Sequence, residues 1–116
     1  MRQPDVRKFL FDIQDACTLI SQFVAGKSFE DYRSDPLLRS GVERQFEILG
    51  EAMSQMMRVD PRMEEHFSDV GRIIAFRNYL IHGYSSVSDE TVWGIVKKNL
   101  PVLAQEAAEA LALLGP

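Results

Sequence analysis

Apolar residues recur at Val6, Phe9, Leu10, Ile13, Cys17, Ile20, Phe23 and Val24, three and four positions apart. This spacing keeps to one face of a 3.6-residue turn, so it predicts an amphipathic helix from Pro4 to Gly26, with the glycine suited to the helix end. Cys17 lies on the apolar stripe and reads as core filler rather than a reactive thiol. Ser28 ahead of Glu30 and Asp31 predicts one short helical turn, SFEDYR. Asp35-Pro36 then supplies a cap and a first-position proline. Leu38, Val42, Phe46, Leu49, Met53, Met56 and Met57 carry a second long helix. Its polar positions, Arg39, Glu43, Arg44, Glu47 and Glu51, read as a solvated face with pairs at i and i+4. The methionines of MSQMM suit either core packing or an adaptable partner surface.

Asp60-Pro61 restarts a short helical piece. Ser68 or Asp69 then caps a helix running through Val70, Ile73, Ile74, Phe76 and Leu80, which Gly83 ends or bends. Ser86 with Asp89, or Ser88 with Thr91, opens the last helical stretch, whose inner face is Val92, Trp93, Val96, Leu100, Leu103, Ala107 and Leu111. Pro101 must kink or split it, because an interior proline removes a hydrogen bond and clashes with the preceding turn. No stretch shows the bounded alternation of a strand. The pattern predicts an all-α chain of four or five helices packed as an antiparallel bundle.

At 116 residues, 46% of them apolar and 26% charged, the chain reads as one folded domain spanning 1–116. A single cysteine excludes an internal disulfide, and two histidines give no cluster spaced for zinc, so neither metal nor cofactor is expected. The N-terminus lacks the pattern of a signal peptide, and no apolar run approaches the roughly 20 residues that span a bilayer. A cytoplasmic protein with no membrane partner is expected. The net charge of −4 and pI near 5.1 count against coating nucleic acid through the overall field. RNA binding would need a local patch, which two subunits together could assemble.

Candidate chemistry is concentrated in FRNYLIHGY, residues 76–84, which brings Arg77, Asn78, His82 and Tyr84 within eight positions. On a continuing helix at about 100° per residue, Asn78 and His82 are i, i+4 neighbours and Tyr84 returns near the azimuth of Arg77. Arg77 and His82 are then about 140° apart, a spread that still leaves the four polar groups on one side with Phe76, Leu80 and Ile73 on much of the other, and Asn78 stands where it could orient the imidazole. A histidine titrating near neutrality moves protons to and from the 2′-oxygen or the leaving 5′-oxygen of RNA, while an arginine braces the phosphate. One histidine is thin for both acid and base, and a symmetric dimer would supply two. Spacing alone favours the plainer reading, in which Arg77 and His82 are helix-end groups that bond free carbonyls and complement the macrodipole.

Arg77-x4-His82-x-Tyr84, with SFEDYRSDPLLRSGVERQFEILGEA before it and VWGIVKKNLPVL after it, resembles the HepT-like toxins, a branch of the HEPN ribonuclease superfamily. The similarity runs through nearly the whole chain in family order. It implies an all-α HEPN fold that forms a homodimer with the motif at the subunit interface. It also implies a metal-independent endoribonuclease toxin acting on mRNA or tRNA. In this resemblance His82 is the catalytic acid or base, Arg77 the phosphate brace, and Asn78 the polar residue that holds the site's geometry. Tyr84 is the implied acceptor of AMP from a cognate antitoxin, a minimal nucleotidyltransferase of the MNT type. AMP there would set a bulky anion two residues from His82 and repel RNA phosphate. Arg72 is a candidate RNA contact or a solvated surface arginine. Two other readings stand beside this one. In the first, the chain is a non-catalytic helical subunit that binds a nucleotidyltransferase and assists its nucleotide or substrate binding. In the second, it is a homodimeric bundle whose motif only caps a helix.

Overall fold

The computed structural model describes residues 5–83 and 85–115. Among these residues the chain is helical without strands: α1 (Arg7–Val24), α2 (Phe29–Ser34), α3 (Pro36–Val59), a 3-10 segment (Pro61–His66), α4 (Val70–His82), α5 (Asp89–Lys98) and α6 (Leu100–Leu114). The elements beyond the expected four or five arise at SFEDYR, which stands as its own helix, and at Pro101. The proline occupies the first turn of α6, where its missing N–H costs nothing, so the last stretch splits rather than kinks.

Caps fix where each element begins. Ser28 and Asp31 form a reciprocal capping box, with Asp31 N–H donating to Ser28 Oγ at 3.1 Å and Ser28 N–H to Asp31 Oδ2 at 2.9 Å. Asp35 accepts from the amides of Leu37 and Leu38 ahead of α3, Asp69 from Arg72 ahead of α4, and Ser88 from Thr91 ahead of α5. Ser68 does not cap α4; it donates through its amide and hydroxyl to Glu106, tying the approach of α4 to α6. Past α1, Gly26 takes φ +73°, the left-handed conformation that glycine adopts without steric penalty.

The core lies between α1, α3 and α6. Leu10, Ile13, Ala16, Cys17 and Ile20 of α1 meet Val42, Leu49, Met53 and Met56 of α3, and Leu103, Ala107 and Ala110 of α6 close the layer. Met53 and Met56 are therefore core and Met57 packs against it. Cys17 is 2% exposed, and burial pushes its thiol up to about 12, so it stays protonated and unreactive. Tyr32 of α2 is fully buried against Trp93 of α5, at 5.4 Å between ring centroids. No helix is long and apolar enough to cross a membrane among the described residues.

α4 is the least covered of the longer helices. Only Val70 and Leu80 are buried, while Ile73, Ile74, Phe76 and Tyr79 are half-buried. Its main seat is α3, where Phe76 meets Phe46 edge to face at 5.1 Å.

Candidate active site

Arg77 sits where α3 and α4 cross, and Gly50 makes the crossing possible. A Cβ on Gly50 would lie 2.3 Å from Arg77 Cβ and 2.8 Å from its Cγ, far inside van der Waals contact. The glycine thus opens a notch in α3 that receives the arginine's stem. The guanidinium beyond the stem is held at both terminal nitrogens. Nη2 donates to Glu51 Oε2 at 2.6 Å, and Nη1 donates to Asn78 Oδ1 at 2.9 Å. Nε is buried and finds no partner among the described residues. Glu51 is itself anchored, since its Oε1 accepts from Gln55 Nε2 at 2.9 Å. That hydrogen bond first, then the charges of Arg77 and Arg58, hold the Glu51 carboxyl below the usual range against the opposing effect of burial.

Among the described residues, Arg77 does not share a side of the helix with Asn78 and His82. Arg77 turns into the α3 crossing, whereas Asn78 and His82 are exposed, with His82 the last residue of α4. About 140° of helix rotation separates Arg77 from His82. Asn78 accepts from Arg77, so the side chain it steadies is the arginine. The expected role of Tyr84 falls outside the described residues. Tyr79 ties the end of α4 to the start of α5: its carbonyl accepts from Gly83 N–H at 2.9 Å and its hydroxyl accepts from Ser88 N–H at 2.7 Å.

Two hollows flank α4. Arg77 lines a polar cleft of about 290 Å³ between α1, α3 and α4, together with Lys8, Arg44, Asp12, Glu47 and Glu51. Arg72 lines the other, an apolar cavity of about 140 Å³ walled by Phe46, Ile73, Phe76 and Leu103, and its Nε pairs with Asp69 at 3.1 Å. The two arginines thus serve different flanks. Among the described residues no group of His, Cys, Asp and Glu is arranged to hold a metal ion.

Sequence reasoning missed Glu51, which it placed on a solvated face, and Gly50, which it did not single out. The only signal at Gly50 was energetic: a glycine inside an otherwise strong helix costs about 1 kcal/mol relative to alanine.

The sequence model of the family described as ribonuclease HepT-like matches residues 13–110. Relatives with provisional ribonuclease names align along most of both chains. One from Caldanaerobacter subterraneus subsp. tengcongensis is 33% identical over 107 residues, covering 90% of this chain and 93% of its own. One from Methanocaldococcus jannaschii is 32% identical over 108 residues, covering 91% and 96%. A third, named as a HepT ribonuclease, from Thermococcus cleftensis, is 32% identical over 99 residues, covering 84% and 87%. No solved structure matches the chain significantly. With a family match spanning most of its length and an all-helical fold that carries the arginine and histidine on one helix, the chain belongs to the ribonuclease HepT-like family, within the HEPN group that its motif resembles.

Proposed function

We propose that the protein is a metal-independent endoribonuclease toxin that cleaves mRNA or tRNA with Arg77 and His82. The observation that carries this reading is the pairing of a fixed arginine with an open histidine near the end of one helix. Arg77 is held by Gly50, Glu51 and Asn78, while His82 is exposed and has no hydrogen-bond partner among the described residues. A fixed guanidinium stabilises the charge that builds on a phosphorane-like transition state without reorganising. An accessible imidazole moves the proton at the attacking 2′-oxygen or the leaving 5′-oxygen.

The reading includes a homodimer. Gly71, Ala75, Asn78 and His82 are all exposed and fall within about 60° of one another around α4. A Cβ on Gly71 would meet nothing within 4 Å. The small residues allow a second α4 to approach closely, and a two-fold axis along this face would bring two His82 together, each near the Asn78 that accepts from Arg77. Arg72, on the neighbouring flank, extends the RNA track as a phosphate contact. The partner in this reading is an MNT-type nucleotidyltransferase antitoxin that transfers AMP to Tyr84 and so closes the cleft to RNA.

The test is expression of the wild-type chain and of His82→Ala without any partner, following growth and the integrity of total tRNA and mRNA. Growth arrest with RNA loss for wild type, absent for His82→Ala, is expected. Equal RNA loss with both proteins would sink the assignment. Two folded, non-toxic dimers would put in its place the helical subunit that assists a nucleotidyltransferase.

A further inference from the structure

Both carboxylate oxygens of Glu51 are occupied, Oε2 by Arg77 and Oε1 by Gln55, so a chain of hydrogen bonds runs from Gln55 through Glu51 and Arg77 to Asn78. Three of these residues lie beside the α3 notch or opposite it, and Glu51 directly follows Gly50. We infer that Glu51 is the positioning residue for Arg77, with Gln55 fixing Glu51 in turn. The kinetic part of the inference rests on the ribonuclease reading, and the structural part rests on the hydrogen-bond geometry alone.

An arginine side chain has several freely rotating bonds, and a brace is useful only if its N–H groups already stand where charge will develop. The Gly50 notch restrains the first two carbons of the stem, since Arg77 Cβ and Cγ abut it. The notch leaves the outer torsions free, and those are set by the bonds at Nη2 and Nη1. Each terminal nitrogen carries two N–H groups and gives up one, to Glu51 or to Asn78. One N–H on each remains for a phosphate oxygen. A carboxylate placed to shield the arginine would instead span both terminal nitrogens, as bidentate Arg–carboxylate pairs do. Glu51 touches one, and Gln55 holds its second oxygen away.

The experiment compares wild type, Glu51→Gln, Glu51→Ala and Gln55→Ala in single-turnover cleavage of a short single-stranded RNA. It is accompanied by proton–nitrogen spectra of the Arg77 guanidinium, assigned by its disappearance in Arg77→Lys. Gln keeps an acceptor for Arg77 and, with both amides turned, a donor for Gln55. Glu51→Ala should lower the maximal single-turnover rate by about a hundredfold with the half-saturating protein concentration little changed, the scale of misplacing a reacting group by an ångström. Glu51→Gln should lose only about fivefold, the difference between a charge-assisted and a neutral hydrogen bond. Gln55→Ala, which leaves Glu51 and Gly50 in place, should fall between these; if Glu51→Ala fails to fold, a loss of about a hundredfold in Glu51→Gln overturns the inference in its stead.

Glu51→Ala cleaving as fast as wild type, or faster, overturns the inference, and so does Glu51→Gln falling as far as Glu51→Ala. Unchanged cleavage by Gln55→Ala overturns the part assigned to Gln55. If wild type cleaves no RNA, the ribonuclease reading fails and the spectra decide the positioning. Separate, slowly exchanging Nη signals in wild type that merge in Glu51→Ala uphold it, and identical spectra overturn it.

Discussion

Gly50 and Arg77 meet backbone to stem across the α3–α4 crossing, so closely that a methyl group on Gly50 would stand 2.3 Å from Arg77 Cβ. An alanine inside a helix normally gains about 1 kcal/mol over glycine. Here the added methyl meets an atom next to the α4 backbone, not the far end of a flexible chain. Overpacking of that kind costs about 1–3 kcal/mol and moves the helices apart. Gly50→Ala is expected to lower the melting temperature by several degrees, at about 4 °C per kcal/mol for a domain of this size, and to abolish RNA cleavage. A thermal melt and a cleavage assay on the same preparation check both.

His82 and Arg77 should separate activity from stability in different ways. His82 is exposed and unpartnered among the described residues, so His82→Ala should change stability by no more than about 0.5 kcal/mol. Cleavage should nonetheless fall by about 10²- to 10⁴-fold, the usual worth of a general acid or base. Arg77→Lys keeps the charge but has one ammonium where the arginine has a fork. Its three N–H groups radiate from one point, whereas Asn78 and Glu51 are met by two separate nitrogens of a planar fork, so Arg77→Lys is expected to cleave no better than Arg77→Ala.

For Arg72 the expected effect is on binding. Its side chain is exposed, pairs with Asp69 in the same turn, and lines the flank of α4 opposite the Arg77 cleft. Arg72→Ala should weaken single-stranded RNA binding without regard to sequence. It should also make the slope of log affinity against log salt shallower by about 0.7, the share of one phosphate contact. Titrations at a series of salt concentrations measure this, and an unchanged slope removes Arg72 from the RNA track.

Glu43 gives a pH prediction with a definite sign. Burial raises its carboxyl above the ordinary value, neighbouring Asp89 and Glu47 raise it further, and Arg39 opposes them. A raised folded pKa means that the protonated form suits the native state better. The native state is therefore favoured below about pH 4.5, the unfolded value, and loses that advantage as pH rises through the folded value. Glu43→Gln should raise the melting temperature at pH 7, with the gain vanishing near pH 4. Glu51, whose carboxyl is depressed, has the opposite sense: its contribution is present at neutral pH and lost as acid protonates it.

The local features of the fold were legible in the sequence. Ser28, Asp35 and Ser88 cap the helices expected of them, because capping depends on residues within one turn. The α1 stripe is buried as its periodicity requires, apart from Phe23, which stays 36% exposed at the helix end. What the sequence withheld was pairing across helices. A helical wheel gives the azimuth of Arg77 but not which sector another helix will cover, and the notch that draws Arg77 inward lies 27 positions away in the chain. For the same reason Glu51 looked like one more surface charge. Its partner at Nη2 is 26 residues distant, beyond the reach of i, i+4 reasoning.

Tyr79 accepts from Gly83 with its carbonyl and from Ser88 with its hydroxyl, so one residue of α4 fixes both ends of the connection that leads to α5. Gly83 and Ser88, each tied to that one residue, have already surrendered much of the conformational entropy that free chain retains. A protein that recognises this corner of the molecule meets anchor points ordered during folding, and loses correspondingly less of its binding energy to immobilising them.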